Sequence, residues 1–182
     1  MAIYAPHLIS TIHDNLTRLA VALAKPNLVS PSSLALLCGV VAVESDVGYY
    51  LRQFPTGPAC GIFQMEPATA SGILRYLDRP AELYDVPLKS MRAVIEDSFA
   101  VRLPQGFDDW KWLLPSNLGI ATVFARMHFA RVTTPLPDAT DIYGLANYWK
   151  IHYNTLGGKG KTDEFVSKFN LWIAPHLRDY AG

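Results

Sequence analysis

The sequence predicts an all-α, mainly helical domain, and three observations predict it. Apolar residues recur at three- and four-residue intervals along almost the whole chain, the spacing of one face of a helix. Nowhere do apolar and polar residues alternate between hairpin turns strongly enough to predict a sheet. The length of 182 residues fits a single domain covering residues 1–182. Half of the residues are apolar and 18% are charged, against about 25% charged in an average globular chain. That composition supplies a sizeable core and excludes a disordered chain. No internal repeat or low-complexity segment is present.

The elements follow in order. Leu8, Ile12, Leu16, Leu19 and Leu23 form an apolar stripe that stops before Pro26, which predicts an amphipathic first helix. Ser30-Pro31 reads as an N-cap followed by proline at the first helical position. The helix it opens runs to about Ser45, is apolar on every face, and belongs in the middle of the fold. Asp46 to Cys60 contains Gly48 and Pro55-Thr56-Gly57-Pro58 and has no steady period, so it is expected to be a long surface loop, with room for a short hairpin. Further helices are predicted over Pro67 to Leu77, Leu88 to Val101, Phe107 to Leu113, Asn117 to Val132 and Asp138 to Tyr153. A last one begins at Thr162, with Asp163 and Glu164 in its first turn and Phe165, Phe169, Trp172 and Ile173 expected inside.

Charge and motif content remove several function classes. Sixteen basic residues balance sixteen acidic ones without long runs, so nothing favours nucleic acid or an anionic membrane as partner. The longest apolar run, Leu34 to Val43, has ten residues, too few to insert across a bilayer. The N-terminus lacks the series of features that marks a secretory signal, so the expectation is synthesis in a cytoplasm. Cys38 and Cys60 read as buried reduced thiols, with a single bridge as the alternative. The five histidines have no metal-ligand spacing, and neither a metal nor another cofactor is expected. Gly158-Lys159-Gly160-Lys161-Thr162 lacks the first glycine of a phosphate loop, and G-x-S-x-G does not occur.

The residue with the clearest chemical potential is Glu44, a carboxyl that follows ten apolar or small residues at the C-terminal end of the central helix. Burial and the negative end of the helix dipole both favour its protonated form. A carboxylic acid kept neutral near pH 7 is what protonation of a glycosidic oxygen requires. Glu44-Ser45, a glycine-containing loop, and then Gly61-Ile62-Phe63-Gln64 leading into Pro67 and Thr69 resemble the signature of the goose-type lysozyme and lytic transglycosylase superfamily. Asn117-Leu118-Gly119 resembles that family's third block, and Tyr153-Asn154 its closing pair. The four blocks run from about Leu34 to Gly160. Ile62-Phe63 stands where Leu-Met is usual, and Trp149-Lys150 with Gly158-Lys159-Gly160 is similar to the variant in bacteriophage lysins and tail-associated muramidases.

The resemblance implies a lysozyme-like catalytic domain that cleaves the β-1,4 bond between N-acetylmuramic acid and N-acetylglucosamine in peptidoglycan glycan strands. Glu44 would be the acid/base, and the C6 hydroxyl of muramic acid would attack C1 to give a 1,6-anhydro product. Ser45 would steady Glu44 or cap the helix, Gln64 would hydrogen-bond a sugar, and Phe63, with Tyr49 and Tyr50, would stack on sugar rings. Tyr153 would donate to Glu44 and Asn154 would hold the tyrosine loop. Hydrolysis needs a second carboxylate, for which Asp46 and Glu66 are the nearest in sequence. A phage enzyme would reach the periplasmic wall through holins or as part of the virion among tail proteins. Three alternatives stay open: a muramidase acting on the same bond, a non-catalytic phage tail protein, and a secreted antibacterial effector.

Overall fold

Helix α1 (Ala5–Ala22) opens with proline in its first turn and buries Leu8, Ile9, Ile12, Leu16 and Leu19 along one stripe. The coordinates are a computed structural model that describes residues 2–53, 56–78, 90–154, 158–177 and 180. Pro55, Leu88 and Thr155 to Gly157, which belong to the expected loop, fourth helix and closing motif, lie outside the described residues. A 3-10 turn at Pro26–Leu28 reverses the chain. Its carbonyls at Asn27 and Leu28 accept hydrogen bonds of 3.1 and 2.8 Å from the buried Arg126 guanidinium.

Helix α2 (Pro31–Ser45) starts and stops where the sequence predicts. Ser30 and Ser33 form a reciprocal capping box, with Ser33 N–H donating to Ser30 Oγ at 3.1 Å and Ser30 N–H donating to Ser33 Oγ at 2.8 Å. By length and composition the stretch Pro26–Ser45 could cross a bilayer, but two-thirds of it (67%) is buried inside this fold, as a core helix is. Helices α1, α6 (Leu118–Ala130), α7 (Ile142–Trp149) and α8 (Thr162–Trp172) surround it. Gly39 lets α8 approach, since a Cβ there would overlap the Phe165 ring.

Helix α2 ends in three successive left-handed residues, Asp46 (φ 48), Val47 (φ 58) and Gly48 (φ 77). Valine in that region is a strained outlier, and strain of this kind is held only where packing dictates it. Val47 is 1% exposed, and its carbonyl accepts from Ile3 N–H at 2.9 Å. The loop that follows forms isolated bridges, Arg52 with Cys60 and Cys60 with Met65, and no strand among the described residues. The short hairpin the sequence allowed is thus reduced to single pairs.

The remaining helices are α3 (Pro67–Leu77), α4 (Met91–Phe99), α5 (Trp110–Ser116), α6 (Leu118–Ala130), α7 (Ile142–Trp149) and α8 (Thr162–Trp172). The starts of α4, α5 and α7 move inward from the expected Leu88, Phe107 and Asp138. Ser90 caps α4 by accepting from Ala93 N–H. Asp138 spends its carboxylate on Thr140, and Asp141 becomes the cap of α7 by accepting from Gly144 N–H at 2.8 Å. Phe107 stays outside α5 and half exposed, its ring facing the Lys111 ammonium. Trp172 is also corrected: it is 40% exposed, while Phe165, Val166, Phe169 and Ile173 face the core. Helix α7 widens at its end into a π turn over Lys150–Asn154, a feature that concentrates at functional sites. Cys38 and Cys60 are both free and buried.

Candidate active site

Glu44 sits in the last turn of α2, half-buried on the wall of a cleft of about 700 Å³. The indole of Trp149, at the end of α7, donates from Nε1 to Glu44 Oε1 at 2.9 Å. Burial pushes the Glu44 carboxyl from its usual 4.5 up to about 7. The Glu164 carboxylate pushes the same way, while the Trp149 donor, the Lys168 ammonium and a hydrogen bond from the Asn154 side chain pull it down. The acid is therefore poised to exchange a proton near neutrality.

The opposite wall is the turn at Gly61 to Gln64. Cys60 and Met65 exchange both backbone hydrogen bonds around it (3.1 and 2.9 Å), and Gln64 N–H donates to the Gly61 carbonyl. Gly61 has φ 74, and a Cβ there would lie 2.7 Å from the Leu114 carbonyl, so glycine alone fits. Gln64 also takes a left-handed conformation, φ 45. Its Nε2 donates to Gly61 O (2.9 Å) and Tyr50 O (3.2 Å), which leaves the amide oxygen as its acceptor for a ligand. Gln64 lines the cleft, as do Tyr153 and Asn154.

Two expected binding residues do not reach the cleft. Ser45 has no exposed surface. Its hydroxyl donates to the Ile62 carbonyl at 2.7 Å, with the Val41 carbonyl at 3.1 Å, and it accepts from Gly48 N–H at 3.0 Å. It fastens the turn to α2 and has no surface from which to touch a ligand. Phe63 is 1% exposed and belongs to the core. Its contribution to the site is its carbonyl, which accepts from the Tyr153 hydroxyl at 2.8 Å. That bond also corrects the expectation for Tyr153, which spends its proton on the Phe63 backbone rather than on Glu44. Burial, together with the charge of Glu44, holds the tyrosine hydroxyl protonated well above its usual range.

Of the two carboxylates nearest in sequence, Asp46 points away and forms a 2.8 Å ion pair with Lys168. Glu66 is exposed at the start of α3 and lines the cleft. The acid that sequence reasoning missed is Glu164, which also lines the cleft and pairs with Lys168 at 3.0 Å. Its only sequence signal was a favourable charge in the first turn of α8. Trp149 was missed as well, because periodicity predicts that an indole is buried but not where its N–H points.

His128 reaches the cleft edge, with both of its ring nitrogens hydrogen-bonded. One ring nitrogen, Nε2, lies 2.7 Å from the His152 carbonyl in the π turn. The other, Nδ1, lies 3.1 Å from Arg131. A carbonyl only accepts and a guanidinium only donates, so the ring is neutral with its proton on Nε2. Burial accordingly lowers its pKa. Comparisons with protein-family models, with curated proteins and with solved structures found no match to this chain.

Proposed function

We propose that the protein cleaves peptidoglycan glycan strands at the β-1,4 bond between N-acetylmuramic acid and N-acetylglucosamine, as a lytic transglycosylase. The observation that carries this reading is Glu44, a carboxyl held near pKa 7 and fixed by an indole donor on the wall of a cleft of about 700 Å³. In its neutral form Glu44 gives its proton to the bridging oxygen, which leaves C1 of muramic acid as the C4 hydroxyl of N-acetylglucosamine. The resulting carboxylate then takes the proton of the muramic C6 hydroxyl as that oxygen bonds to C1. The bond from C1 to the bridging oxygen breaks, the bond from C1 to O6 forms, and no water is consumed. The motif resemblance across Leu34 to Gly160 supports the substrate class. A lysozyme-like fold and a phage origin belong to the same proposal.

The test is release of soluble muropeptides from purified sacculi near pH 6. Wild type is expected to release them, and Glu44→Gln to be slower by roughly 10²–10⁴, the range of general acid–base catalysis. Equal release by both proteins, or none by either, overturns the proposal.

Glu164 favours a second reading. A second carboxyl group in the same cleft, paired with Lys168, supplies the partner that a hydrolase requires, activating water for attack at C1. In that case Glu164→Gln abolishes products with reducing ends, whereas an intramolecular mechanism keeps its anhydro products in the same variant.

A further inference from the structure

The π turn contains a second arrangement that faces Glu44. Its first residue, Lys150, and its last, Asn154, meet side chain to side chain, with Nζ donating to Oδ1 at 2.8 Å. The same ammonium donates to the Gly158 carbonyl at 2.7 Å, so one cation spans the π turn and the glycine segment beyond it. The two glycines of that segment are packed too closely for side chains. A Cβ on Gly158 would overlap the Asn154 backbone, and one on Gly160 would press on the Trp149 indole and lie 3.0 Å from Asn154 Nδ2. An asparagine amide has an accepting end and a donating end. With Oδ1 fixed by Lys150, the donating end is left for the cleft, whose wall Asn154 shares with Glu44.

We propose that Lys150 is a positioning residue of this cleft: it turns the Asn154 amide toward Glu44 and holds the Gly158–Gly160 segment over Trp149. The inference rests on the reading above only in taking Glu44 as the working acid. The charged and titratable groups around that acid come from every neighbouring element. They are Glu66 at α3, His128 on α6, Tyr153 in the π turn, Lys159 in the glycine segment, and Glu164 and Lys168 on α8, with Asp46 behind Lys168 and Lys150 behind Asn154. Lys150 differs from the rest in that its bond to Asn154 acts through another residue's donor.

The experiment is a carbon-13 NMR titration of the Glu44 carboxyl, assigned by its loss in Glu44→Gln. It is run on wild type, Lys150→Met, Asn154→Ala and the double variant. Each single change is expected to move the midpoint upward from about 7, because losing a donor to the carboxylate disfavours the charged form. Lys150→Met is expected to add less than half of its own shift in the Asn154→Ala background, and Lys150→Arg to stay near wild type. Equal shifts in both backgrounds would mean that the ammonium acts as a bare charge, and no shift in a folded Lys150→Met would mean that it does not act at all. Either result overturns the proposal. If circular dichroism shows that Lys150→Met does not fold, Lys150→Gln takes its place in the cycle. Sacculus digestion by wild type is run beside it: absent release defeats the proposed function and leaves the titration readable, while release with unmoved midpoints defeats only the role of Lys150.

Discussion

Glu44 is a residue the fold holds at a cost in stability, and that cost gives it a measurable signature. Its carboxyl is raised from the usual 4.5 to about 7, so the folded state binds the proton more tightly than the unfolded chain. The resulting stability is fully present below pH 4.5 and is lost as pH rises through 7. At about 1.4 kcal/mol per unit, the loss is roughly 3 kcal/mol. Glu44→Gln removes this titration. The variant is therefore expected to gain on wild type as pH rises from 5 to 8, read as a growing difference in thermal midpoint. A difference that stays flat across that range would mean that the carboxyl titrates normally. Glu44 was legible in the sequence because a carboxyl ending ten apolar residues is anomalous. Its neighbours were less so. One residue along a helix is a rotation of about 100°, which carries Ser45 from the cleft to the core. In the turn after Gly61, Phe63 faces inward and Gln64 outward, so adjacent positions of one motif separate into packing and binding.

The elements that position these side chains are short and tightly constrained. The left-handed exit of α2 over Asp46 to Gly48 turns the chain just after Glu44, while the turn at Gly61 to Gln64 and the π turn at Lys150–Asn154 bring Gln64, Tyr153 and Asn154 to the cleft. The spans of α2 and α3 were legible in the sequence, since each begins with proline in its first turn and ends at a change of pattern. The π turn was not legible, because a five-residue turn leaves no mark in a period of 3.6. Neither was the direction of Glu164, which depends on how closely α8 packs over Gly39. Gly61→Ala tests how rigidly the second wall is held. It places a Cβ against the Leu114 carbonyl in a conformation with positive φ, and strain of that kind costs on the order of 1–3 kcal/mol. Urea unfolding should show a loss of that size. A neutral substitution would mean that the turn relaxes and does not define the wall.

Taken as one body, the chain builds a continuous core from α1 through α8 around α2, and the cleft opens at the C-terminal end of that central helix. Placing the acid there follows from the architecture: the buried helix shields the carboxyl from water, and α7 and α8 bring Trp149, Glu164 and Lys168 to it from other parts of the chain. The all-α class was readable from periodicity alone, whereas the set of groups around Glu44 depends on long-range packing that no local pattern encodes. The most direct measurement is mass spectrometry of the muropeptides released from purified peptidoglycan by wild type and by Glu44→Gln. Products ending in 1,6-anhydro-muramic acid, present with wild type and lost in the variant, are what the account predicts. Products one water heavier would transfer the reaction to the hydrolytic reading with Glu164. The same soluble products from both proteins, or none from either, would contradict the account.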